Sequence, residues 1–232
     1  MAAPWMRYGG RSRLAVHRAL VSSRLGIVPA SVDLLSGPLV DVGANVGDWT
    51  AAALAIAPTA RVISVEPVAN LLSERFGGDR RVRIVEAAAS NCDGTATLHI
   101  AEHPHNTSLL RPLNMNTEYG SGWRAVGTRT VPVVTLDALL AHEVPSVVKI
   151  DVQGAEAAVL EGARGVLSRA RAVLIEVVTR AHYENDSLFP KLHEMLSEVG
   201  YRMAGLSPPD VRATGEALWL DACYVNASQK VM

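Results

Sequence analysis

An open α/β fold, a Rossmann-like and mostly parallel sheet with helices on both faces, is what this sequence predicts, and three observations carry that prediction. Strand-like and helix-like stretches alternate from Pro38 onward, the pattern of a parallel sheet built with crossover helices. The first strand-like run meets the first helix-like run through a turn bearing two glycines, Gly43-Ala-Asn-Val-Gly47. The last two strand-like runs have only a loop between them, which makes one of them an antiparallel addition at the sheet edge.

Each element has its own signal. Leu39–Val42 is short and apolar, as a strand buried on both faces is, and Trp49–Ala57 is a helix ended by Pro58. Arg61–Val65 is β-branched and reads as the second strand, followed by a helix over Val68–Phe76 that stops at Gly77-Gly78. Val82–Val85 is the third strand. Asp93-Gly94 then turns the chain into Thr95–Ile100, which alternates as a half-buried strand does. Ala101–Thr128 is polar, rich in Asn and Gly and without a period, a long loop of the kind that carries function. Arg129–Val134 is another strand, and Thr135 caps a helix through Leu140. Val147–Val152 is the fourth core strand, with a helix starting over Ala155–Leu160, and Ala172–Val177 is the fifth. Leu188–Val199 is an amphipathic helix closed by Gly200, and Tyr201–Met203 and Ala217–Val225 are the final strands.

At 232 residues and 49% hydrophobic content, the chain suits one domain over 37–232, preceded by an extension over 1–36. An aromatic share of 5% and a net charge of −1 argue against an aromatic-rich binding module and against nucleic acid as a partner. The charge is uneven: Arg7, Arg11, Arg13, Arg18 and Arg24 all precede the first acid, Asp33. This start is read as a helical lid, with Leu14, Val16, Leu20 and Val21 packing on the domain. The other readings are a transit peptide and a surface helix in peripheral contact with anionic lipid. No apolar run there has the length of a secretory signal or a membrane span. Cys92 and Cys223 give no reason to pair, so a cytoplasmic setting is the expectation. Oligomeric state stays open, with a homodimer as the candidate.

A nucleotide on such a sheet lies at the carboxyl end of the strands. Gly43 and Gly47 permit a sharp turn and a close approach there, and Asp41, Ala44 and Asn45 complete the edge. The spacing is G-x-x-x-G, not the G-x-G-x-x-G of a dinucleotide pyrophosphate. A carboxylate such as Asp41 repels a pyrophosphate but attracts the ammonium and sulfonium of S-adenosylmethionine, which favours that cofactor over a nicotinamide one. Glu66, before Pro67 at the end of the second strand, is placed to accept hydrogen bonds from both ribose hydroxyls. Ser90 and Asn91 are candidates for the adenine edge, and otherwise ordinary turn residues before Asp93-Gly94.

With these pieces placed, the chain resembles the FkbM family of class I methyltransferases. The matching segments are Val40-Asp-Val-Gly-Ala-Asn-Val-Gly-Asp48, Val65-Glu-Pro67, Asn106-Thr-Ser-Leu109, Val131–Leu140 and Lys149-Ile-Asp-Val-Gln-Gly-Ala-Glu156, with Val159-Leu-Glu-Gly162 and Leu174-Ile-Glu-Val177. They fall in the family's order over roughly residues 38 to 180. The resemblance implies a seven-stranded sheet with an antiparallel last strand. It also implies O-methylation of a small-molecule, glycan or glycolipid acceptor, at a hydroxyl of a sugar or of a secondary metabolite. One residue departs from it: where the family usually has Asp-Val-Glu-Gly, this chain has Asp151-Val152-Gln153-Gly154. An amide neither ionises nor takes a proton near neutral pH.

Methylating an alcohol needs a general base or a cation that lowers the hydroxyl pKa. Asp151 and Glu176 end the fourth and fifth strands on one rim and are the candidate Mg²⁺ ligands, unless Asp151 caps its helix and Glu176 pairs with a loop cation. Lys149 shares a strand face with Asp151, to pair with it or to steady the substrate oxygen. His182 is the first candidate for the base. His103 and His105 are alternatives that, with Asn106, Thr107 and Ser108, form an acceptor or cofactor wall; no Cys or third ligand nearby supports zinc. Two rival readings remain, a nicotinamide-dependent oxidoreductase and a cofactor-binding protein without turnover, with a nucleic-acid methyltransferase as a weaker third.

Overall fold

Four-residue apolar runs can form a stable sheet only if neighbours cover them on both sides, and the chain supplies that cover from elements between them. The computed structural model describes residues 28–29, 32–113, 122–211 and 217–228. Its first half runs β1 (Leu39–Val42), α1 (Asp48–Ile56), β2 (Val62–Val65), α2 (Asn70–Phe76), β3 (Val82–Val85), β4 (Ala88–Ala89), β5 (Gly94–Ala101) and β6 (Ala125–Val134). Next come α3 (Leu136–Leu139), β7 (Val147–Ile150), α4 (Glu156–Glu161), α5 (Arg164–Leu167) and β8 (Ala172–Val178). The chain closes with α6 (Phe189–Glu198), β9 (Tyr201–Leu206), β10 (Asp210–Val211) and β11 (Ala217–Asn226).

The main sheet has the order β10-β11-β8-β7-β1-β2-β3, with β9 also on β11. From β8 to β3 all pairings are parallel. Alternate side chains leave by opposite faces. Val40, Val42, Ile63, Val65, Val148, Ile150, Val173 and Ile175 pack with Leu136, Val159, Val166, Leu192 and Leu196 of α3 to α6. Leu39, Val62, Val147 and Leu174 pack with Trp49, Ala53, Leu72 and Phe76 of α1 and α2. The fold class is therefore as expected. β11 runs antiparallel to β8, and its outer edge is shared by β9 and the two-residue β10. The seven strands implied by the resemblance are present, and β10 is the eighth.

Three elements, β5, β6 and β7, take a place or bounds that the sequence alone does not give. β5 and β6 leave the main sheet and, with β4, form a three-stranded sheet of order β4-β6-β5. β6 starts at Ala125, four residues before the expected Arg129, because β5 offers it a partner edge as far as Ala101. β7 stops at Ile150 instead of Val152, since Gln153 (φ 59°) and Gly154 (φ 97°) both take left-handed conformations that no ladder accommodates. The Thr135 cap is as expected: its side chain accepts the Ala138 N–H at 3.2 Å.

The lid expected over 1–36 lies outside the described residues, apart from 28–29 and 32–36, where Val28, Val32 and Leu34 pack against the α1/α2 side of the sheet. Among the described residues no helix is long and apolar enough to cross a membrane, and Cys92 and Cys223 are both free thiols.

Candidate functional site

A cavity of about 570 Å³ opens at the carboxyl ends of β1, β2, β7 and β8, a volume within the range that holds a cofactor or small ligand. Its roof is the small sheet, whose Ala88, Leu98 and Ile100 line it. At one end stands Glu66. The turn after β1 brings the Asn45 N–H to Glu66 Oε2 at 2.8 Å, and the Val68 N–H meets Oε1 at 2.9 Å. Each oxygen keeps acceptor capacity for a second donor. Burial pushes the Glu66 carboxyl above the usual range in spite of those two N–H groups. The residues beside it are apolar: Pro67, Val68, Ala87, Ala88 and Ala89. Gly43, Asn45, Glu66 and Pro67 thus line the cavity as expected residues should.

Several of the predicted cofactor residues serve packing as well, or instead. Gly43 is needed chiefly for packing: at φ 74°, a Cβ on it would sit 1.8 Å from the Asp151 carbonyl oxygen. Gly47, at φ 80°, approaches Phe76 and Leu72, not the cavity, and Ala44 is buried with the same cluster. Ser90 and Asn91 also stand apart from the lining, because the end of α4 packs against the Ser90 backbone and Asn91 donates to Glu161 at 2.9 Å. Ser90 and Asn91, expected at the adenine edge, thus stand off the cavity, while Ala87, Ala88 and Ala89 just before them line it and lack any distinctive signal in the sequence.

Asp41 is likewise withdrawn from direct ligand contact. It is 0% exposed. Its Oδ2 accepts from Thr50 Oγ1 at 2.7 Å, and Thr50 Oγ1 lies 2.9 Å from Ser64 Oγ. Oδ1 accepts no hydrogen bond among the described residues and is held by charge, with Lys149 Nζ 3.2 Å away. The same ammonium donates to the Gly43 carbonyl at 3.0 Å and lies 3.4 Å from Asp151 Oδ2. β1 and β7 pair with Asp41 opposite Lys149, which is why the two meet. Lys149 does not line the cavity; it joins a buried carboxylate to a carboxylate on the cavity wall.

Asp151, Glu176 and Gln153 form the far wall. The Gln153 amide nitrogen donates to Asp151 Oδ1 at 2.8 Å and to Glu176 Oε2 at 2.9 Å. Its carbonyl accepts from Tyr183 Oη at 2.8 Å. The Ser108 hydroxyl donates to the Gln153 backbone carbonyl at 2.7 Å, tying the loop to the Asn106–Ser108 segment, all of which lines the cavity. This geometry does not fit Mg²⁺ at Asp151 and Glu176. An amide –NH₂ cannot ligate a cation, and it points at the two oxygens a cation needs. No third His, Cys, Asp or Glu converges with them among the described residues.

His182, the expected base, is buried and lines the same wall between Trp123 and Trp219, with ring centroids 5.1 Å and 6.0 Å away. His105 lines the cavity whereas His103 does not. Sequence reasoning missed five contributors: Trp123, Tyr183, Asp186, Glu156 and Trp219. Asp186 Oδ2 accepts the His182 and Tyr183 N–H groups at 2.7 Å and 3.3 Å, while its Oδ1 is buried without a partner among the described residues. Only the short spacing His182-Tyr-Glu-Asn-Asp186 hints at such a turn.

Glu156 Oε1 accepts the Val152 and Gly154 N–H groups at 2.9 Å and 3.3 Å and so shapes the loop that presents Gln153. Burial, with Asp151 and Asp186 nearby, pushes its carboxyl up to about 8. Unfolded, the same group titrates in the ordinary glutamate range near ~4.3. Between those two values the folded chain holds a proton that the unfolded chain has lost, so stability falls as pH rises through that window. The expected result is a melting temperature several degrees lower at about pH 8.5 than at about pH 5.5, and a flatter profile for Glu156→Gln. Parallel profiles for the two proteins would refute it.

Comparison with known proteins agrees with this architecture. The family described as Methyltransferase FkbM domain matches residues 41–203. The chain is 29% identical over 190 residues to 2-O-methyltransferase NoeI of Sinorhizobium fredii, covering 75% of this chain and 73% of that protein. The structure of methyltransferase FkbM from Methylobacillus flagellatus is similar with a TM-score of 0.53 at 18% identity, over 82% of this chain but only 43% of that one. The chain thus spans less than half of that protein's length. Magnesium protoporphyrin IX methyltransferase of Synechocystis, solved with bound S-adenosylmethionine, gives a TM-score of 0.51 at 15% identity, over 96% of this chain and 89% of that one. These two structures share the fold.

Proposed function

Because the chain belongs to the FkbM family of methyltransferases, we propose that it transfers the methyl group of S-adenosylmethionine to a hydroxyl on a sugar of a glycolipid, polysaccharide or secondary metabolite. The observation that carries this reading is the two-ended cavity: a carboxylate held by backbone N–H groups beside an apolar slot, and opposite it a wall of polar and aromatic side chains. Glu66 is the residue to hold the ribose hydroxyls, and Val68 with Ala87, Ala88 and Ala89 the adenine plane. The printed activity of the Sinorhizobium relative supports oxygen as the atom methylated.

Bound S-adenosylmethionine supplies a methyl group on a positively charged sulfur, open to in-line displacement. The chain's own work is to exclude water, hold the acceptor hydroxyl and take its proton. Trp123, Trp219 and Tyr183 wall the acceptor end. Asp151 has one oxygen on the Gln153 amide and the other facing the Lys149 ammonium, so both oxygens are already engaged. That leaves the proton to His182, which lines the same wall.

The test is calorimetry with S-adenosylmethionine and with NAD, followed by release of S-adenosylhomocysteine over a panel of sugar and glycolipid acceptors. Binding of the first cofactor and turnover with a hydroxyl acceptor are expected. Binding of NAD alone would restore the oxidoreductase reading, and cofactor binding without turnover on any hydroxyl would leave a binding protein.

A further inference from the structure

A side-chain amide that donates to two carboxylates at once is an uncommon way to hold negative charge together. Asp151 and Glu176 end neighbouring parallel strands, so the backbone alone brings their carboxylates to one rim. Two carboxylates so close repel each other, and the usual remedies are a shared proton or a bridging cation. Here one nitrogen sits between them, 2.8 Å from Asp151 Oδ1 and 2.9 Å from Glu176 Oε2.

Three further contacts keep that nitrogen in place. The loop holds Gln153 at φ 59°, with Gly154 at φ 97°, where a Cβ would sit 2.9 Å from the Tyr183 ring. Glu156 Oε1 and the Ser108 hydroxyl secure the loop backbone. The Tyr183 hydroxyl donates to the amide carbonyl at 2.8 Å, so the orientation of the amide is set from both ends. Turned over, the amide would aim its carbonyl at two carboxylates and lose both donated bonds.

We propose that Gln153 takes the place of a divalent cation between Asp151 and Glu176, acting as a positioning residue that holds both carboxylates ionised and oriented on the acceptor wall. Its role in catalysis rests on reading this cavity as the methyl-transfer site; its role toward cations does not. The substitution that separates the two states is a single atom. With Gln153→Glu the bridge becomes a third carboxylate at the same point, and three oxygen donors on one wall form a cation site.

The experiment is a Mn²⁺ titration of the full chain, without cofactor or acceptor, read by electron paramagnetic resonance and by thermal melting. Wild type is expected to leave the Mn²⁺ signal and its own melting temperature unchanged. Gln153→Glu is expected to bind Mn²⁺ at least about tenfold more tightly than wild type and to melt higher when Mn²⁺ is present, because the cation relieves the added repulsion. Adding Asp151→Asn to that variant should abolish the gain. If Gln153→Glu is insoluble, Gln153→Asp carries the same charge on a shorter arm and is read the same way.

Mn²⁺ uptake by wild type that Asp151→Asn removes would overturn the proposal, since the amide would then be turning over to lend its oxygen. A soluble carboxylate variant indifferent to Mn²⁺ would overturn it equally. Where turnover is found, wild-type release of S-adenosylhomocysteine should be unaffected by a chelator. Where none is found, the family reading of the substrate fails while the Mn²⁺ result still stands.

Discussion

Lys149→Met is expected to destabilise the fold by about 3–5 kcal/mol, more than any other single change at the site. Asp41 is fully buried, and its Oδ1 has only the Lys149 ammonium, 3.2 Å away, to balance its charge. Methionine fills the space of the lysine stem but leaves that charge uncompensated in the middle of a sheet. The Gly43 carbonyl loses the Lys149 donor in the same step, whereas the Val42 carbonyl keeps the Asp151 N–H. For a chain of this size the loss corresponds to roughly 6–20 °C in melting temperature, using about 2–4 °C per kcal/mol. The double variant Asp41→Asn/Lys149→Met should recover much of that loss, because it removes the orphaned charge while the Asn oxygen still accepts from Thr50. Chemical denaturation of the two single variants and the double gives the coupling directly. Additive effects would mean that the pair is not a unit, and the account of Asp41 as a structural residue would fail.

Glu66→Gln is expected to weaken S-adenosylmethionine binding by about 10- to 100-fold, the worth of charge-assisted hydrogen bonds to the ribose. Part of the effect is local: the amide nitrogen cannot accept from the Asn45 or the Val68 N–H, so one of them loses its partner. A pH series separates that from the charge. Burial raises the Glu66 carboxyl, and only the ionised form accepts two ribose donors. Wild-type affinity should therefore fall on acidification, beginning at a higher pH than an ordinary glutamate would impose, while Glu66→Gln stays flat over the same range. Calorimetry across that range decides it. Equal affinity for wild type and variant would remove Glu66 from the cofactor site.

The two expectations differ in how far the sequence could carry them. Glu66 was legible because its position follows from one local rule, an acid at the end of the second strand of an open parallel sheet, and such an end faces the ligand crevice. Asp41 satisfied a similar rule and still turned inward. Strand alternation puts it on the α1/α2 face with Ser64 and Lys149, and whether that face is open to ligand at its level depends on what packs there. Thr50 of α1 closes it. Ser90 and Asn91 stand off the cavity for the same kind of reason: the end of α4, far along the chain, occupies the space beside them.

His182 and Gln153 show the opposite case. Each was only a residue type at a suggestive position, a histidine in a loop and an amide where the family usually has Glu. Side chains from separate segments set their surroundings, since Trp123 and Trp219 enclose the histidine and Tyr183 and Glu176 orient the amide. Trp123, Tyr183 and Asp186 had no motif to reveal them.

By itself, then, the sequence determined the alternation of strands and helices, the antiparallel edge, the family, and the glycine-bearing turn before Glu66. All of these rest on local periodicity, on backbone conformations only glycine adopts readily, or on ordered motifs, which are written along the chain. The tertiary structure alone decided that β4 to β6 form a separate roof, that Asp41 serves Lys149, and that Gln153 stands between two carboxylates. Those depend on distances between residues tens of positions apart, such as the 2.9 Å from Gln153 to Glu176. Hydrogen bonds of that length are set by how the layers pack, and no local pattern encodes them.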